Sequence, residues 1–441
     1  MKQYIDFFIS ERHKIDESCD PLLNAFREEA FATFQRMGFP AYQSEDYQYT
    51  DVAGLLKDDL GFYLNLLNNT GIDPHKVFPC NIPYLDTDKH FVVNGHFFPE
   101  PEKDLPNGVY SGSLNGFAKR YPDLFSRYYN QQASSNGDGL TAFNTMFVQD
   151  GFVLYVPENV VLDKAIQLTN VSGGKVDSLI NRRILVILER GAQAKMLICD
   201  HTNENKAMSA ATQVAEIYAG ENASFDYYEL EESSGNTVRL TNNFVRQEAS
   251  SSVIVNSITL SNGFTRNNYQ IDLTGKRAET YLQGLAIADD RKTVDNFTLI
   301  NHQATDCRSN ELFKYLLDNE ATGVFNGKVV VSQDAQKTEA FQTNRNLLGN
   351  RNCRMYSQPK LEINADDVKC SHGMTTGQLD ETALFYMRSR GIPNEEAVLM
   401  LKFAFTGDVL KGIRLEGLQD RLKLLIEKRL RGELVKCQGC I

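Results

Sequence analysis

The chain has 441 residues, 42% of them hydrophobic and 10% aromatic, which allows two or three domains or one elongated repeat domain with a large core. A net charge of −11 argues against a nucleic-acid partner, because a phosphate backbone binds clustered Lys and Arg. No stretch approaches the roughly 18 apolar residues of a membrane span, and the first residues lack the apolar region of a signal peptide. We therefore expect a cytoplasmic protein with no membrane partner.

The first clear pattern along the chain is helical. Apolar residues recur at spacings of three and four from Pro21 to Met37. Asp20 is a suitable N-cap for a helix that begins at Pro21, and Gly38 is a suitable stop. These features predict a mainly helical N-terminal region over residues 1–145.

Two turn signals interrupt this region. Asn94-Gly95 follows a short extended run and predicts a hairpin turn. The segment 134–139, Ser-Ser-Asn-Gly-Asp-Gly, is rich in turn-forming residues and predicts a linker.

From Phe152 to about Ile363 the pattern changes to strand after strand, with a faint repeat beneath it. The repeat aligns four small residues at one corner of each unit, in steps of 29, 28 and 27: Ala194, Ala223, Ser251 and Ala278. Recurrence in this range predicts a mainly β fold, with a stacked β-solenoid core over residues 146–375. A β-sandwich with coincidental turn spacing is the alternative.

Helices are predicted again over residues 376–441. Gly391 ends one helix and Pro393 opens the next, and the last helix carries a stripe of leucines from Leu415 to Leu430. The ends of a solenoid must be covered, so we expect the helical regions before and after the strands to cover them. Packing on a neighbouring helix explains most of the leucine stripe, and a partner-binding surface is the alternative.

Standard catalytic motifs are absent, since the chain has no GxxxxGK[ST] loop, no HExxH and no GxSxG. The remaining candidate is Cys370-Ser371-His372. Residues i and i+2 of a strand share a face, so thiol and imidazole point together, and both suit iron or zinc. Two ligands do not close a four-coordinate site. Spacing alone therefore favours a structural role, and a metal site would need ligands from elsewhere in the fold or from another chain.

A second cysteine motif, Cys437-Gln-Gly-Cys440, lies close to the last residue. A CxxC pair can bind a metal ion or cycle between thiols and a disulfide. With no second ligand pair nearby, we interpret it as a tail with two free thiols.

A longer motif surrounds the Cys370–His372 pair. Its segments are Ala335–Ala340, Asn346–Leu348, Pro359–Ile363, Asp366–Gly373, Leu384–Tyr386 and Ser389–Ile392. Together they resemble the SufB/SufD family of iron–sulfur cluster assembly proteins, in particular its SufD branch, because the SufB branch carries an acidic-histidine sequence in place of Cys-Ser-His-Gly. Weaker agreement extends to Gly38–Pro40 and Glu45–Thr50, where Tyr47 replaces the tryptophan usual in that family.

The resemblance implies a right-handed parallel β-helix flanked by helical N-terminal and C-terminal regions. It implies a non-catalytic scaffold that pairs with a SufB-like subunit through the β-helix and with a SufC-like ATPase through the C-terminal helices, and that can form a homodimer when isolated. ATP then acts only through the partner ATPase. A transient Fe–S cluster shared with the partner forms at the subunit interface, where His372 is implicated with Cys370 close by. Cys437 and Cys440 lie outside the family motif.

Two other functions remain open from the residues alone. A β-helix carbohydrate-active enzyme would need paired carboxylates and a basic residue on one face of the solenoid. A stand-alone metalloprotein would need a complete ligand set within this chain.

Overall fold

The computed structural model describes residues 1–57, 60–61, 73–78, 81–101, 105–174, 176–202 and 207–433. The helices of these residues are α1 (Lys2–Glu17), α2 (Pro21–Asn24), α3 (Arg27–Met37), α4 (Val52–Leu55), α5 (Pro74–Val77), α6 (Leu114–Arg120), α7 (Pro122–Tyr128), α8 (Gln131–Asn136), α9 (Gly139–Phe147), α10 (Glu381–Ser389), α11 (Asn394–Leu410) and α12 (Glu416–Leu430). The strands are β1 (Thr87–Val93), β2 (His96–Phe97), β3 (Tyr110–Ser113), β4 (Phe152–Val156), β5 (Ala165–Ser172), β6 (Ser178–Leu188), β7 (Gln193–Thr202), β8 (Ser209–Ala219), β9 (Ser224–Glu232), β10 (Thr237–Gln247), β11 (Ser252–Ser261), β12 (Phe264–Leu273), β13 (Glu279–Ala288), β14 (Thr293–His302), β15 (Arg308–Leu317), β16 (Thr322–Val331), β17 (Glu339–Leu348), β18 (Arg354–Ile363) and β19 (Lys369–Gly377).

The strands form two sheets, which we call the odd sheet and the even sheet. The odd sheet has the order β19-β17-β15-β13-β11-β9-β7-β5-β1-β2, and the even sheet has the order β18-β16-β14-β12-β10-β8-β6-β4-β3. From β6 to β17, each strand pairs in parallel with the strand two before it and the strand two after it, so every turn of the chain adds one strand to each sheet. This is a parallel β-solenoid of about 7 turns flanked by helices, as predicted. The β-sandwich alternative is wrong, because a sandwich is built from antiparallel pairs.

Antiparallel pairing is seen at the N-terminal end of the solenoid. The predicted hairpin turn is confirmed between β1 and β2, where Asn94 and Gly95 have φ angles of 50° and 87°. A Cβ at position 95 would also collide with the carbonyl oxygen of Asn181, so glycine is required there. Strands β1–β3 lie within the predicted mainly helical region 1–145, yet they belong to the two sheets of the solenoid. The boundaries at 145 and 375 stay predictions.

Six successive turns of the solenoid repeat one corner before their odd-sheet strands, β7 to β17. A residue with left-handed backbone is followed by a small buried residue, whose carbonyl oxygen accepts an N–H from the next turn at 2.9 to 3.0 Å. The left-handed residues are Gly191, Asn222, Ser250, Arg277, Asp306 and Lys337. The buried residues that follow them are Ala192, Ala223, Ser251, Ala278, Cys307 and Thr338.

This ladder confirms three of the four aligned positions and corrects the first. Ala194 pairs with Phe225, and the residue stacked on Ala223 is Ala192, whose carbonyl oxygen accepts the N–H of Ser224. The chain from Ala192 to Ala223 is longer than the two repeats after it. Extra residues in one turn shift a sequence alignment without disturbing the hydrogen-bonded stack.

The core of the molecule lies between the two sheets, in the lumen of the solenoid. Ile198 and Val255 belong to its large buried apolar cluster. The lumen also holds charges, because Asp200 accepts hydrogen bonds from Arg182 at 2.7 Å and from Arg239. Buried charges persist when they are paired and hydrogen-bonded. The inward face of this solenoid therefore accommodates polar residues as well as apolar ones.

The N-terminal helices pack on the outer face of the even sheet. Phe143 of α9 belongs to the same buried cluster as Leu240 of β10. Helices α2 and α3 occupy the predicted helical stretch, and the predicted cap is confirmed, since Asp20 accepts the N–H of Leu22 at 3.0 Å. Helix α3 ends before Gly38, which has a φ of 66°.

The linker predicted at 134–139 is wrong, since most of it belongs to helix α8 and to the start of α9. The cause lies in strand β8. Glu216 accepts the backbone N–H groups of Asn130, Gln132 and Ala133 at 2.7, 2.9 and 3.1 Å. A distant carboxylate therefore caps α8, and this tertiary contact overrides the turn preference of the local residues.

The C-terminal helices pack along the outer face of the odd sheet. Leu422 of α12 shares a buried cluster with Leu230 and Leu285, and Lys314 of β15 donates to the carbonyl oxygen of Phe405 in α11 at 2.8 Å. The expectation that these helices cover the end of the solenoid is wrong, because the buried apolar residues of α11 and α12 pack against the side of the sheet. No strand of the described residues pairs with the outer edges of β18 and β19. In the part of the chain that the structure describes, the solenoid is therefore open at this end.

Candidate functional site at the open end of the solenoid

Strand β19 is the last strand of the odd sheet. It pairs with β17 on one side, whereas the strands inside the sheet pair on both sides. Every residue of β19 except Cys370 is exposed. No residue of β18, the last strand of the even sheet, is fully buried. Strands β18 and β19 therefore form a rim around the open end of the lumen.

The register with β17 determines which side chains of β19 face the lumen. Cys370 is paired with Ala340 and His372 with Gln342. Ala340 and Gln342 are buried, whereas Phe341 between them is exposed. Paired residues of neighbouring strands point the same way. Cys370 and His372 therefore share one face, as expected for residues i and i+2, and that face is the lumen side.

The two side chains differ in their surroundings. Cys370 is half-buried and packs against the edge of the apolar core, and this burial raises the pKa of its thiol. His372 is exposed, and no heavy atom lies within 4 Å of the position that a Cβ on Gly373 would take. The thiolate is the form that binds metals. The pair thus offers an accessible imidazole and a thiol that a bound metal ion would have to deprotonate.

The outer edge of β19 also presents unpaired backbone groups. The N–H of Lys369 donates to the carbonyl oxygen of Thr338 at 2.9 Å, toward β17. In a parallel ladder every second residue bonds to the same neighbour, so Ser371 also bonds toward β17. The backbone N–H and C=O of Cys370 and His372 then face the open edge. An uncovered edge of this kind is a template for another strand.

A segment of the N-terminal region reaches the rim from the other sheet. Residues 45–50, which we call the strap, cross the outer face of the even sheet. Asn268 of β12 donates to the hydroxyl of Tyr47 at 3.0 Å, and Lys360 of β18 forms an ion pair with Glu45 at 2.8 Å. The strap resembles the family in sequence, but its position is not predictable from local sequence, because its partners lie hundreds of residues away.

Cys370 and His372 are not the only close Cys–His pair, since the chain contains a second Cys-x-His sequence, Cys199-Asp200-His201. Cys199 is buried in the cluster that includes the C-terminal helices, and His201 is buried and stacks on Phe78 with ring centroids 5.2 Å apart. Spacing alone does not distinguish this pair from Cys370 and His372. The exposure of the side chains does distinguish the two pairs, and it favours the pair on the rim as the candidate site.

A groove of about 690 Å³ follows the corners of the odd sheet and contains the residue types that a carbohydrate-active enzyme would need. Its two glutamates are ion-paired, however: Glu279 lies 3.7 Å from Arg308, and Glu339 lies 3.0 Å from Lys369 and 3.4 Å from Arg308. The hydrogen bond from Lys369 lowers the pKa of Glu339. A glycosidase acid requires a raised pKa. The groove therefore gives no support to that function.

Two family models match the chain. The SufBD protein N-terminal region matches residues 1–168, and the SufBD core domain of the SUF system for FeS cluster assembly matches residues 170–405. The chain belongs to the SufBD family. Strand β19 and helix α10 lie inside the core-domain match, so the rim with Cys370 and His372 is part of the SufBD core.

Curated SufBD relatives cover nearly the whole chain. An iron-sulfur cluster assembly SufBD family protein of Synechocystis is 28% identical over 433 residues, which is 96% of this chain and 94% of the relative. The iron-sulfur cluster assembly protein SufD of Escherichia coli is 27% identical over 403 residues, 90% of each chain. SufD of Bacillus subtilis is 25% identical over 326 residues, 74% of each chain.

Within the described part of this SufBD chain, no group of three or more His, Cys, Asp or Glu side chains is placed to hold a metal ion. Cys370 and His372 are thus two candidate ligands, and that part of the chain places no further candidate beside them. Cys437 and Cys440, the predicted CxxC pair, lie outside the described residues.

None of the helices in the described residues has both the length and the apolar character that crossing a bilayer demands.

Proposed function

We propose that this chain is a SufD-like scaffold subunit for iron–sulfur cluster assembly. It pairs with a SufB-like subunit through the open end of its solenoid, and His372 and Cys370 become part of a transient cluster site shared with that subunit. The rim is the observation that supports the proposal, because the proposed ligand pair and the unpaired backbone edge lie on the same strand, β19. Relatives named SufD in Escherichia coli and Bacillus subtilis agree with this assignment.

The rim is suited to a protein partner. A strand added to the free edge of β19 satisfies its unpaired backbone groups. The same contact covers apolar side chains that are otherwise exposed, notably Met374 at 47% and Ile363 at 41%. A partner docked here also brings its own side chains opposite Cys370 and His372. One contact then closes the solenoid and completes the ligand set.

The chemistry of the pair fits a nascent cluster. Thiolate and imidazole both bind iron, and a four-coordinate site needs two ligands more than this pair supplies. Because burial raises the pKa of Cys370, its thiol keeps its proton until a metal ion displaces it. The chain holds and orients ligands, and it carries out no step of catalysis by itself.

The C-terminal helices are the proposed contact for a SufC-like ATPase. Helix α10 has no buried residue, and Phe385 and Tyr386 are 71% and 58% exposed. Exposed aromatic residues next to each other are typical of protein interfaces. ATP hydrolysis in the partner then moves helices that are packed on the odd sheet. When the SufB-like subunit is absent, a second copy of this chain can occupy the rim.

The test is a substitution of His372 in the assembled complex. The chain is co-expressed with SufB-like and SufC-like subunits, and iron and acid-labile sulfide are measured in the reconstituted complex. Ser371 is exposed on the opposite face of the same strand and provides the matched control. We expect His372→Ala to lower the cluster yield at least tenfold and Ser371→Ala to leave it unchanged.

The complex itself should form with either variant, because neither substitution removes a backbone group from the edge. Normal cluster yield from an intact complex that contains His372→Ala would reject the site. Failure of the wild-type chain to associate with a SufB-like subunit would reject the pairing.

A further inference from the structure

The lumen-facing residues of the odd sheet stack in register from turn to turn. One column consists of Leu282, Glu311, Gln342 and His372 on β13, β15, β17 and β19. Leu282 belongs to the apolar core, and Glu311 and Gln342 are equally buried. The column therefore changes from apolar to polar two turns before the rim and ends in the exposed imidazole.

Glu311 orients the side-chain amide of Gln342. Gln342 Nε2 donates to Glu311 Oε2 at 2.7 Å. Across the lumen, a Cβ at position 327 would come within 2.5 Å of Nε2, so Gly327 leaves room for the amide group. In its ionised form, present at the alkaline pH of the test below, the carboxylate accepts from the nitrogen and would repel the oxygen. The amide oxygen is thus the end left to face another group.

Gln342 Oε1 is buried and accepts no hydrogen bond from the described residues. A buried acceptor without a donor is unfavourable, and it is rare in folded proteins. The register provides a donor, because Gln342 is paired with His372. Paired strands lie about 4.8 Å apart, which is within reach of a hydrogen bond between adjacent side chains of this length.

We propose that Gln342 is a positioning residue for His372. Its Oε1 accepts the N–H of one imidazole nitrogen, and Glu311 keeps the amide nitrogen away from the ring. A neutral imidazole has one N–H and one lone pair, so its other nitrogen then presents its lone pair to the rim. Histidines that bind metals donate their second nitrogen in this way, which fixes the tautomer and the orientation of the ring. The contact follows from the structure of this chain, and its importance for cluster assembly rests on the proposed function.

The contact can be tested in the isolated chain by the tautomer of His372. Imidazole ¹⁵N spectra are recorded at pH 8.5, where a free imidazole is neutral. We expect one dominant tautomer in the wild type. Gln342→Met keeps the side-chain volume but removes the hydrogen-bond acceptor for His372. Glu311→Gln also keeps the volume, but it no longer fixes which end of the Gln342 amide faces His372. Both variants should give a mixture of tautomers. Asn346→Leu alters another buried amide on the same face of β17 and should leave His372 unchanged.

Cluster yield in the complex tests the role of the contact. Gln342→Met should lower the yield about tenfold or more, as loss of an outer partner of a metal ligand generally does.

The outcomes separate the two proposals. A wild-type tautomer ratio in folded Gln342→Met and Glu311→Gln would reject the contact, whatever the cluster yield. Mixed tautomers without loss of yield, while His372→Ala does lose it, would reject a positioning role. Mixed tautomers together with normal yield from His372→Ala would reject the proposed function and leave the contact standing.

Discussion

Tyr49 stacks face to face on Tyr356, with ring centroids 4.1 Å apart and ring planes 18° apart. Tyr49 belongs to the strap and Tyr356 to β18, one of the two strands of the rim. The N-terminal region therefore contacts the open end of the solenoid directly. Because no described strand pairs with the outer edge of β18, contacts from the strap supply part of the packing that an inner strand receives from the sheet.

Removal of this ring should loosen the rim. An aromatic pair contributes about 0.5–1.5 kcal/mol beyond its buried area. We expect Tyr49→Ala to lower the free energy of unfolding by about 1–2 kcal/mol and to speed hydrogen exchange in β18. Tyr42 is 53% exposed, and Tyr42→Ala serves as the control. Equal exchange rates in the two variants would show that the strap does not support the rim.

Proline substitutions can distinguish the two edges of β19. The N–H of Met374 faces the open edge, whereas the N–H of Thr375 faces β17 by the alternation that Lys369 sets. Proline has no N–H, so it is tolerated where no partner is bonded. Met374→Pro should keep the melting temperature near that of the wild type and weaken association with a SufB-like subunit.

Thr375→Pro is the matched substitution one residue along. It removes a ladder hydrogen bond to β17 and should lower the melting temperature. If Met374→Pro associates as well as the wild type, the partner does not add a strand to this edge.

The solenoid was predictable because its repeat is local. Ala223, Ser251 and Ala278 each follow a left-handed residue at the same corner, so the repeat is visible within about 30 residues of sequence. Ala194 was misaligned because the length of one turn differs, and only the hydrogen bond from Ser224 to Ala192 reveals the register. The shared face of Cys370 and His372 also follows from strand geometry alone.

Other features depend on contacts between distant parts of the chain. Only the pairing of His372 with Gln342 shows that this shared face points to the lumen. Helix α8 was read as a linker because its cap, Glu216, lies on a strand more than 80 residues later. The open rim is not predictable from the sequence either. The rim is open because the C-terminal helices pack elsewhere, and only the structure shows that Leu422 is buried against the side of the odd sheet.

The cap of α8 predicts a large effect from one carboxylate. Glu216 is fully buried and also forms an ion pair with buried Arg183 at 2.7 Å. Its removal leaves a buried guanidinium and several N–H groups without their acceptor, a change that generally costs about 3–5 kcal/mol. Glu216→Ala should lower the free energy of unfolding in urea by that amount. Glu221→Ala, at an exposed turn, should change it by less than about 0.5 kcal/mol.

A smaller effect of Glu216→Ala, below about 1 kcal/mol, would show that solvent reaches these groups. Helix α8 should also lose its protection from hydrogen exchange in this variant. If α8 stays protected from hydrogen exchange, local helix propensity rather than the Glu216 carboxylate stabilises the helix.

Glu311 predicts how stability depends on pH. Burial raises the pKa of its carboxyl from 4.5 to about 7, and the hydrogen bond from Gln342 opposes this only in part. The unfolded chain releases the proton near pH 4.5, whereas the folded chain keeps it up to about pH 7. The stabilising effect of the protonated form is therefore complete below pH 4.5 and is lost as the pH rises to 7. The difference amounts to about 3 kcal/mol.

The measurement compares the wild type with Glu311→Gln, which has a similar shape and does not titrate. The two should have similar free energies of unfolding at pH 4.5. By pH 8 the variant should be more stable by up to about 3 kcal/mol, because the wild type then carries the penalty of a buried charge. Subtracting one curve from the other cancels groups that titrate alike in both. A constant difference from pH 4.5 to 8 would show that Glu311 is ionised throughout, and that the lumen beneath His372 is reached by water.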